Sequence, residues 1–422
     1  MRPRRRGGRV EETSDPGPPG PRTTARPYLL TLLPERTHAV FLALRDLRFA
    51  TGRFALMGSV VALISLLLVM LSGLTAGLGG QNTAALDRLE EQGVQRLVFG
   101  GAAGQEATAS FTQSEFTAEQ RDAWAATDGV ASVEPLGVSQ GRAVGLAHGV
   151  ETDEAGRADV ADVPTTGVAS TAFLGLVPGG ADAPAALAPG EVVLSSDVAD
   201  SLGTQAGDAV AVSGFVFTVA EVVPNEFYSH SPVTWLALED WRAISHTADD
   251  AVLGTAGLVR FAAGADPDAV AAAGDAAAGT VSETVRGSYA ALPSYRSENG
   301  SLMTMQGFLY GISALVVIAF LSIWTVQRTR DIAVLKALGG TDGWVLKDAL
   351  TQAAFVLLGG VLVGTALAAG IGVLAARGVP FELSWATTLV PAAGILVLGM
   401  LAAVAAVFRV TRIDPLVALG GN

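Results

Sequence analysis

Four long apolar runs divide the chain. They cover residues 54–78, 307–326, 350–376 and 389–408, and none of them contains Asp, Glu, Lys, Arg or His. Each is long enough to cross a hydrocarbon core, which takes about 20 residues of helix. A core helix of a large soluble domain is the alternative for any single run, but four uncharged runs favour transmembrane helices. The first run is longer than the apolar part of a signal sequence, so we expect a retained anchor.

The segment from 79 to 306 mixes strand and helix patterns. Its most readable part predicts a strand at Glu191–Leu194, a Ser-capped short helix near Asp197–Leu202 and two strands joined at Ser213-Gly214. The Ala-rich stretch from Asp266 predicts a further helix. The expected fold class is therefore a four-helix membrane protein with a large α+β domain inserted between the first and second transmembrane helices.

The remaining segments have their own patterns. Residues 1–37 are rich in Arg, Pro and Gly, which is typical of a disordered extension. Residues 38–53 place apolar side chains along one helical stripe and predict a helix at the membrane interface. The loop 327–349 contains a short amphipathic helical pattern that ends at Gly339-Gly340, and residues 409–422 form a tail.

Charge adds an orientation to this picture. Half of the residues are hydrophobic and 16% are charged, in keeping with a membrane protein. Lys and Arg flank the spans mainly before residue 54, in the loop 327–349 and after residue 408, so these parts are predicted to be cytoplasmic. The segment 79–306 carries a net charge of −21, with 30 Asp and Glu against nine Arg, whereas the whole chain carries −13. The acidity thus belongs to this segment and gives no sign of a nucleic-acid partner. The absence of Cys excludes disulfides and thiolate metal sites.

The sequence offers no pattern for catalysis. The Gly-rich stretches "GLGGQNT", "FGGAAGQ" and "LGGTDGW" lack the lysine of a P-loop, so we expect a separate chain to handle ATP. The histidines are scattered and form neither a His-Glu-x-x-His nor a Gly-x-Ser-x-Gly site. Ser195 and Ser196 follow a strand as a nucleophile would, but helix capping explains them better. We predict no catalytic residue, no resident cofactor and no metal site.

Two pairs of glycines lie four residues apart inside predicted spans. They are Gly73 with Gly77 and Gly360 with Gly364. Such pairs allow close helix contact, either within one chain or between two copies. The sequence leaves both possibilities open.

Two stretches carry a family resemblance, the loop "RTRDIAVLKALGGT" and the closing "RVTRIDPLVALGG". Together with the order of one span, a large domain and three more spans, they resemble the MacB/FtsX-type ABC transporter permeases over residues 38–422. The resemblance implies a multi-pass protein of the bacterial plasma membrane. It also implies a homodimer, in contact with membrane lipid and bound to two copies of a separate ATPase. The stretches from Phe41 to Leu86 and "NEFYSHSPVTWLALEDWRAI" are most similar to the haem-exporting, Hrt-type branch, which implies extrusion of haem from the membrane.

Two sets of site residues follow from this resemblance. The contact with the ATPase is expected at the loop helix, through Arg328, Arg330, Asp331, Ile332, Leu335, Lys336, Leu338 and Gly339. The alternative for this segment is a plain membrane-surface helix with flanking charges. The candidates for contact with haem are residues whose side chains can bind iron: Met70, Met303, Met305, Tyr310, Tyr228 and His230. In the alternative interpretation, the methionines only fill space in the packing of the helices.

The family resemblance also leaves the function itself open in two directions. One alternative is a signalling scaffold of the FtsX type, which would control an extracellular cell-wall hydrolase. The other is an exporter of lipids, peptides or macrolides from the same family.

Overall fold

The structure is a computed structural model that describes residues 51–411, apart from residues 103–104, 148, 154–155, 161, 248, 328–333 and 335–340. The predicted disordered extension, most of the predicted interfacial helix and the C-terminal tail lie outside the described residues. The same holds for all eight residues predicted to contact an ATPase.

The described residues form long helices at both ends of the chain and a mixed domain between them. The helices are α1 Thr51–Glu91, α2 Ala118–Ala125, α3 Ser196–Leu202, α4 Leu238–Ile244, α5 Pro267–Ala278, α6 Pro293–Gln327, α7 Asp342–Ala375 and α8 Trp385–Thr411. The strands are β1 Arg96–Phe99, β2 Phe116–Thr117, β3 Val130–Leu146, β4 Thr165–Leu176, β5 Glu191–Ser195, β6 Ala209–Val212, β7 Phe215–Val223, β8 Phe227–Tyr228, β9 Ser231–Ala237, β10 Val252–Gly254, β11 Ala256–Phe261 and β12 Val281–Thr284.

Four of these helices, α1, α6, α7 and α8, are long and apolar enough to cross a membrane. The predicted fold class is confirmed, because the α+β domain lies between α1 and α6 in the chain. Two of the membrane helices extend beyond the apolar runs. Helix α1 continues to Glu91 and α6 begins at Pro293, on the side of the inserted domain.

The glycine pairs are used inside the chain. A Cβ atom at Gly364 on α7 would lie 2.2 Å from the carbonyl oxygen of Ala62 on α1, and a Cβ atom at Gly360 would lie 2.9 Å from that of Gly58. Gly73 and Gly77 of α1 face the tip of the α7–α8 hairpin, where Cβ atoms would meet the ring of Phe381 and the carbonyl of Pro380. Both pairs therefore allow backbones to approach closely within one copy.

The inserted domain consists of two joined modules. Strands β12, β1, β11 and the first half of β3 form an antiparallel sheet in that order, with α2 and α5 as the connecting helices. This is the arrangement of a ferredoxin-like βαββαβ unit whose second and third strands are β3 and β11. The second module is a barrel, whose strands lie in the chain between the start of β3 and β11. Its strands β3, β4, β9, β5, β7 and β6 are paired in a ring that is closed by the pairing of β6 with β3.

Local predictions in the domain are confirmed with one exception. Strand β5, the β6–β7 turn at Ser213 and Gly214, and α5 form as expected. The Asp266 side chain caps α5. The predicted Ser cap of α3 is wrong, because the Ser195 side chain makes no capping hydrogen bond. Instead, Asn225 accepts from the backbone amide of Asp197 at 2.7 Å, so the cap comes from a distant loop.

Candidate functional site

Helices α1 and α6 connect the membrane bundle to the inserted domain without a break. Helix α1 has 41 residues and α6 has 35, or about 62 and 52 Å at 1.5 Å per residue. They run antiparallel to each other, with the Gln306 amide donating to the Thr75 hydroxyl at 3.1 Å near the end of the apolar runs. The far end of α1 buries Leu86 and Leu89 in the core under the sheet, at 0% and 2% exposure. The bundle and the domain thus share two rigid elements.

A polar cluster joins α1, α6 and the β8–β9 turn about two to three helical turns beyond the Thr75 contact. We call it the clasp, and it consists of Asn82 on α1, Ser229 and His230 in the turn, and Ser294 and Glu298 on α6. His230 Nε2 lies 3.0 and 2.9 Å from the two carboxylate oxygens of Glu298. Asn82 Nδ2 donates to Glu298 Oε2 at 3.3 Å. The Glu298 carboxylate therefore lies at a point where donors from the turn and from α1 converge.

The turn that carries His230 is held in an unusual backbone conformation. Ser229 and His230 have φ angles of 48° and 64°, in the left-handed region where Gly or Asn is preferred. Their amides donate to the carbonyls of Asn82 and Gln81 on α1, at 3.0 and 2.9 Å. Each strained residue costs on the order of 1–3 kcal/mol and persists only where its surroundings determine it. The contact with α1 thus fixes the position of the imidazole.

Ion pairs fix the end of α1 farther into the domain. Arg88 donates to Glu226 at 2.8 Å and lies over the ring of Trp235, with 5.2 Å from the guanidinium carbon to the ring centroid. Arg260 pairs with the buried carboxylate of Asp182 and donates to the Gln92 carbonyl at 3.4 Å. Burial raises the pKa of the Asp182 and Glu226 carboxyls, and the neighbouring arginines act in the opposite direction.

The tyrosine candidates lie apart from each other. Tyr228 is 4% exposed in the core of the inserted domain, with its ring edge-on to Phe111 at 5.7 Å between centroids. Its burial raises the pKa of the phenol. Tyr310 lies on α6 against α8, where its ring approaches Gly394. The structure places neither of them at the clasp, whereas it places His230 there.

The three methionine candidates lie on α1 and α6. Met70 is half-buried on α1, and Met303 and Met305 are 55% and 54% exposed on α6. Residues two apart on a helix point in nearly opposite directions, so Met303 and Met305 face different sides of α6. Met305 follows Glu298 by seven residues, or two turns, and shares its face. The proposed role of these residues in binding haem stays a prediction.

The residues of α1 and α6 that form the clasp were missed in the sequence. Asn82 and Glu298 occur just outside the apolar runs, in "GGQNTAAL" and "YRSENGSL". A polar residue on each of two helices that leave the membrane side by side is a weak signal, because nothing in the pattern gives their register. Within the described part of the chain, no group of three His, Asp or Glu residues has the geometry to hold a metal ion.

Residues 303–415 match the family model of the FtsX-like permease C-terminal domain. This part of the chain is an FtsX-like permease domain. This domain and the four apolar helices indicate a multi-pass protein of the plasma membrane. The matched region begins on α6 and takes in α7 and α8, together with the loop 327–349.

Curated relatives agree with this assignment. The chain is 27% identical over 131 residues to the protein named hemin transport system permease HrtB of Staphylococcus epidermidis, and 28% identical over 130 residues to its namesake in Staphylococcus haemolyticus. Each match covers 31% of this chain and 37% of the relative's length, so the chain matches only about a third of those proteins. An uncharacterized ABC transporter permease of Mycobacterium tuberculosis is 28% identical over 236 residues, covering 55% of this chain and 62% of that protein.

Two solved structures resemble the inserted domain's part of the chain at low similarity. The extracellular domain of the transporter YknZ from Gram-positive bacteria is 14% identical, with a TM-score of 0.30. The match covers 45% of this chain and 98% of the YknZ chain. The periplasmic region of MacB from Actinobacillus actinomycetemcomitans is 11% identical, also with a TM-score of 0.30. This match covers 46% of this chain and 89% of the MacB chain.

Proposed function

We propose that this permease is the transport subunit of an ATP-driven exporter that extrudes haem or a similar amphiphile from the membrane and depends on a separate ATPase. The observation that supports this most is the continuity of α1 and α6 from the bundle into the domain. A movement imposed on one end of a rigid helix is transmitted to its other end. The helices can thus couple a cytoplasmic motor to a domain on the opposite side.

The contact with the ATPase is proposed at the loop between α6 and α7, outside the described residues. Both chain ends and this loop would face the cytoplasm, as the basic residues beside the spans favour. Ile332, Leu335 and Leu338 would fill an apolar groove of the ATPase, while Arg328 and Lys336 would set the register by charge. Two ATPase copies and a second permease copy would complete the assembly.

Haem is favoured as the substrate by the similarity to proteins named hemin transport permeases, over about a third of the chain. The exposed face of α6 adds to this, because Met305 and Phe308 offer an apolar surface and a soft sulfur ligand at the lipid boundary. A signalling scaffold would use the same two continuous helices. Export predicts a partner on the cytoplasmic side and a membrane-soluble substrate, whereas a scaffold predicts an outside hydrolase as partner.

The first test compares ATP hydrolysis by the purified permease with and without its cognate ABC ATPase. We expect turnover only when the ATPase is present. Turnover by the permease alone would contradict the proposal. Activation of a co-purified peptidoglycan hydrolase, without any loss of haem resistance when the gene is deleted, would favour the scaffold.

The second test changes Leu335 to Asp, because an unpaired carboxylate in an apolar groove costs several kcal/mol. We expect the variant to reach the membrane but to lose co-purification of the ATPase, while Thr341→Asp, at an exposed position just before α7, serves as a control. Wild-type yield of the ATPase with full export would show that the contact lies elsewhere.

The third test is absorption spectroscopy of the purified permease titrated with haem. A Soret shift that is lost in Met70→Ala or Met305→Ala would support thioether ligation. A shift that survives these changes but is lost in His230→Ala would move the ligand to the clasp, and the absence of any shift would favour another amphiphile.

A further inference from the structure

The clasp has the composition of a carboxylate-binding site that is filled by a side chain of the permease itself. We propose that the donors of the clasp, His230 and Asn82, bind the carboxylate of an amphiphile, and that Glu298 occupies this place when no amphiphile is bound. The inference rests on the proposed function and deepens it, since it names the chemical class of the substrate as an amphiphile with a carboxylate. It also assigns Glu298 the role of an internal competitor.

The geometry of the donors supports this assignment. His230 Nε2 lies 2.9 and 3.0 Å from the two Glu298 oxygens and 3.0 Å from Asn82 Nδ2. Because an ionised carboxylate can only accept hydrogen bonds, the His230 tautomer that binds it carries its proton on Nε2. The Ser294 hydroxyl donates to Asn82 Oδ1 at 2.7 Å, which turns the amide nitrogen of Asn82 towards Glu298. Two N–H groups from different elements thus converge on one carboxylate, an arrangement that would serve equally for a carboxylate from outside.

The donors are fixed, whereas the acceptor is replaceable. His230 and Ser229 are held by backbone hydrogen bonds to α1, and Asn82 is held by Ser294 and by the carbonyl of Leu78. Glu298 is attached through a flexible side chain on the surface of α6, and that side chain is 40% exposed. It can rotate into solvent without any change in the backbone. A ligand carboxylate would therefore meet a preorganised site and would have to displace only one side chain.

Apolar surface lies at the right distance for the rest of an amphiphile. On α6, Met305 lies two turns below Glu298 on the same face, about 10 Å along the helix, and is 54% exposed. Between α1 and α6 the space under the clasp is closed, because the cavity lined by Leu78 and Leu302 has a volume of about 10 Å³, which is the size of one water molecule. The amphiphile would thus lie along the exposed face of α6, with its carboxylate at the clasp.

Displacement of Glu298 has a structural consequence. The Glu298 carboxylate connects α6 to both the β8–β9 turn and α1. When a ligand carboxylate takes its place, these two connections are made to the ligand, and α6 keeps the Ser294 hydrogen bonds and the packing of Tyr295 against the domain core. Binding of the substrate would therefore loosen α6 from the inserted domain.

The experiment uses the full-length permease in nanodiscs and two probes, metal-free protoporphyrin IX and its dimethyl ester. Both probes have the same ring and lack iron, so axial ligands do not contribute, and they differ in the carboxylates. Probe fluorescence gives the affinities for the wild type, Glu298→Gln, Asn82→Leu and His230→Phe. The matched control is Glu119→Gln, which neutralises an exposed carboxylate on α2 far from the clasp. Thermal unfolding of each variant reports on folding.

We expect the wild type to prefer the acid over the ester. Glu298→Gln should bind the acid about tenfold more tightly, because a neutral amide competes less well than a charged carboxylate for the same donors, and should leave ester binding unchanged. Asn82→Leu and His230→Phe should lose the preference for the acid, and Glu119→Gln should behave as the wild type does.

Equal binding of acid and ester in all variants would overturn the carboxylate site while leaving amphiphile export intact. An unchanged affinity for the acid in Glu298→Gln would overturn the role of Glu298 as a competitor. Failure of both probes to bind, combined with no effect of either on ATP hydrolysis by the assembled transporter, would instead count against the proposed function.

Discussion

Helices α1 and α6 both pass from the membrane into the inserted domain, but they are packed differently. In their most apolar windows, 33% of the α1 residues are buried and 17% of the α6 residues. Helix α1 contacts α6, α7 and α8, and its far end enters the domain core. Helix α6 exposes a row of large apolar side chains to the surroundings, Met305, Phe308, Ile312, Leu315 and Ile323, and exposes Met303 on another side. The difference suggests a division of labour, in which α1 is the fixed axis and α6 the element that can shift or bind a second copy.

The close packing of α1 depends on small residues at its contacts with neighbouring helices, whereas α6 makes fewer contacts through small residues. Gly73 and Gly77 leave room for Phe381 and Pro380, and Ala62 and Ser65 receive the glycines of α7. In a membrane, apolar side chains gain little by leaving lipid for protein, so close backbone approach and hydrogen bonds decide which helices associate. A helix with such contacts on several sides is held more firmly than one with fewer of them.

The largest effect is expected at the domain end of α1, in Leu86→Asp. Leu86 is fully buried under the sheet, and an unpaired carboxylate there costs several kcal/mol in addition to the lost packing. We expect the inserted domain to become sensitive to proteolysis at room temperature. Val168→Asp, at a 52% exposed position of β4, should change the free energy of unfolding by about 0.5 kcal/mol or less. Equal resistance of both variants would mean that α1 does not support the domain.

A smaller effect is expected where α1 meets α7. In Gly364→Ala the new methyl group would lie 2.2 Å from the carbonyl oxygen of Ala62, so the two helices must separate. We expect a loss of about 1–3 kcal/mol, seen as a lower unfolding temperature in detergent. Gly370→Ala on the same helix meets nothing within 4 Å and should be neutral or slightly stabilising, as Ala favours helix over Gly. The opposite order of the two variants would remove the structural basis for α1 as the axis.

The pH dependence of stability tests the ion pairs that hold the end of α1. Burial raises the pKa of the Asp182 carboxyl above its ordinary value of 3.8. A carboxyl with a raised pKa binds more protons in the folded state than in the unfolded state, so its contribution to stability is full below 3.8 and is lost as pH rises through the folded pKa. Chemical denaturation from about pH 4 to about pH 7 should show a flatter dependence in Asp182→Asn than in the wild type. A steeper dependence would assign the titration to other carboxyls.

The smallest effect is expected on the open face of α6. Phe308 is 69% exposed, so Phe308→Ala should alter stability by about 0.5 kcal/mol or less. Leu68→Ala on α1, at 0% exposure, should cost about 2–5 kcal/mol because it leaves a cavity. If the two changes prove equally costly in the membrane, α6 is covered there by a second copy, and cross-linking at position 308 would identify it.

The membrane helices could be predicted from the sequence because an uncharged run of sufficient length has few other stable structures. The extensions of α1 and α6 could not, since "NTAALDRLEE" is amphipathic and its partners lie far along the chain. The same reason explains the clasp: His230 and Glu298 are 68 positions apart, and no local pattern brings them together. Strand β5 and the turn at Ser213 were readable because their signals are local, whereas the cap of α3 came from Asn225, 28 positions beyond Asp197.

The contact between α1 and α7 also has a consequence for biosynthesis. The hydroxyls of Ser65 and Thr365 lie 3.3 Å apart in the bundle but 300 positions apart in the chain. Helix α1 leaves the ribosome first and must wait in the bilayer, with its small residues against lipid, until the whole inserted domain and α6 have been synthesised. Domains tend to fold in the order of their synthesis. The membrane part of this protein begins first and is completed last, so a ribosome that stops before Gly364 leaves a folded domain attached to an unfinished bundle.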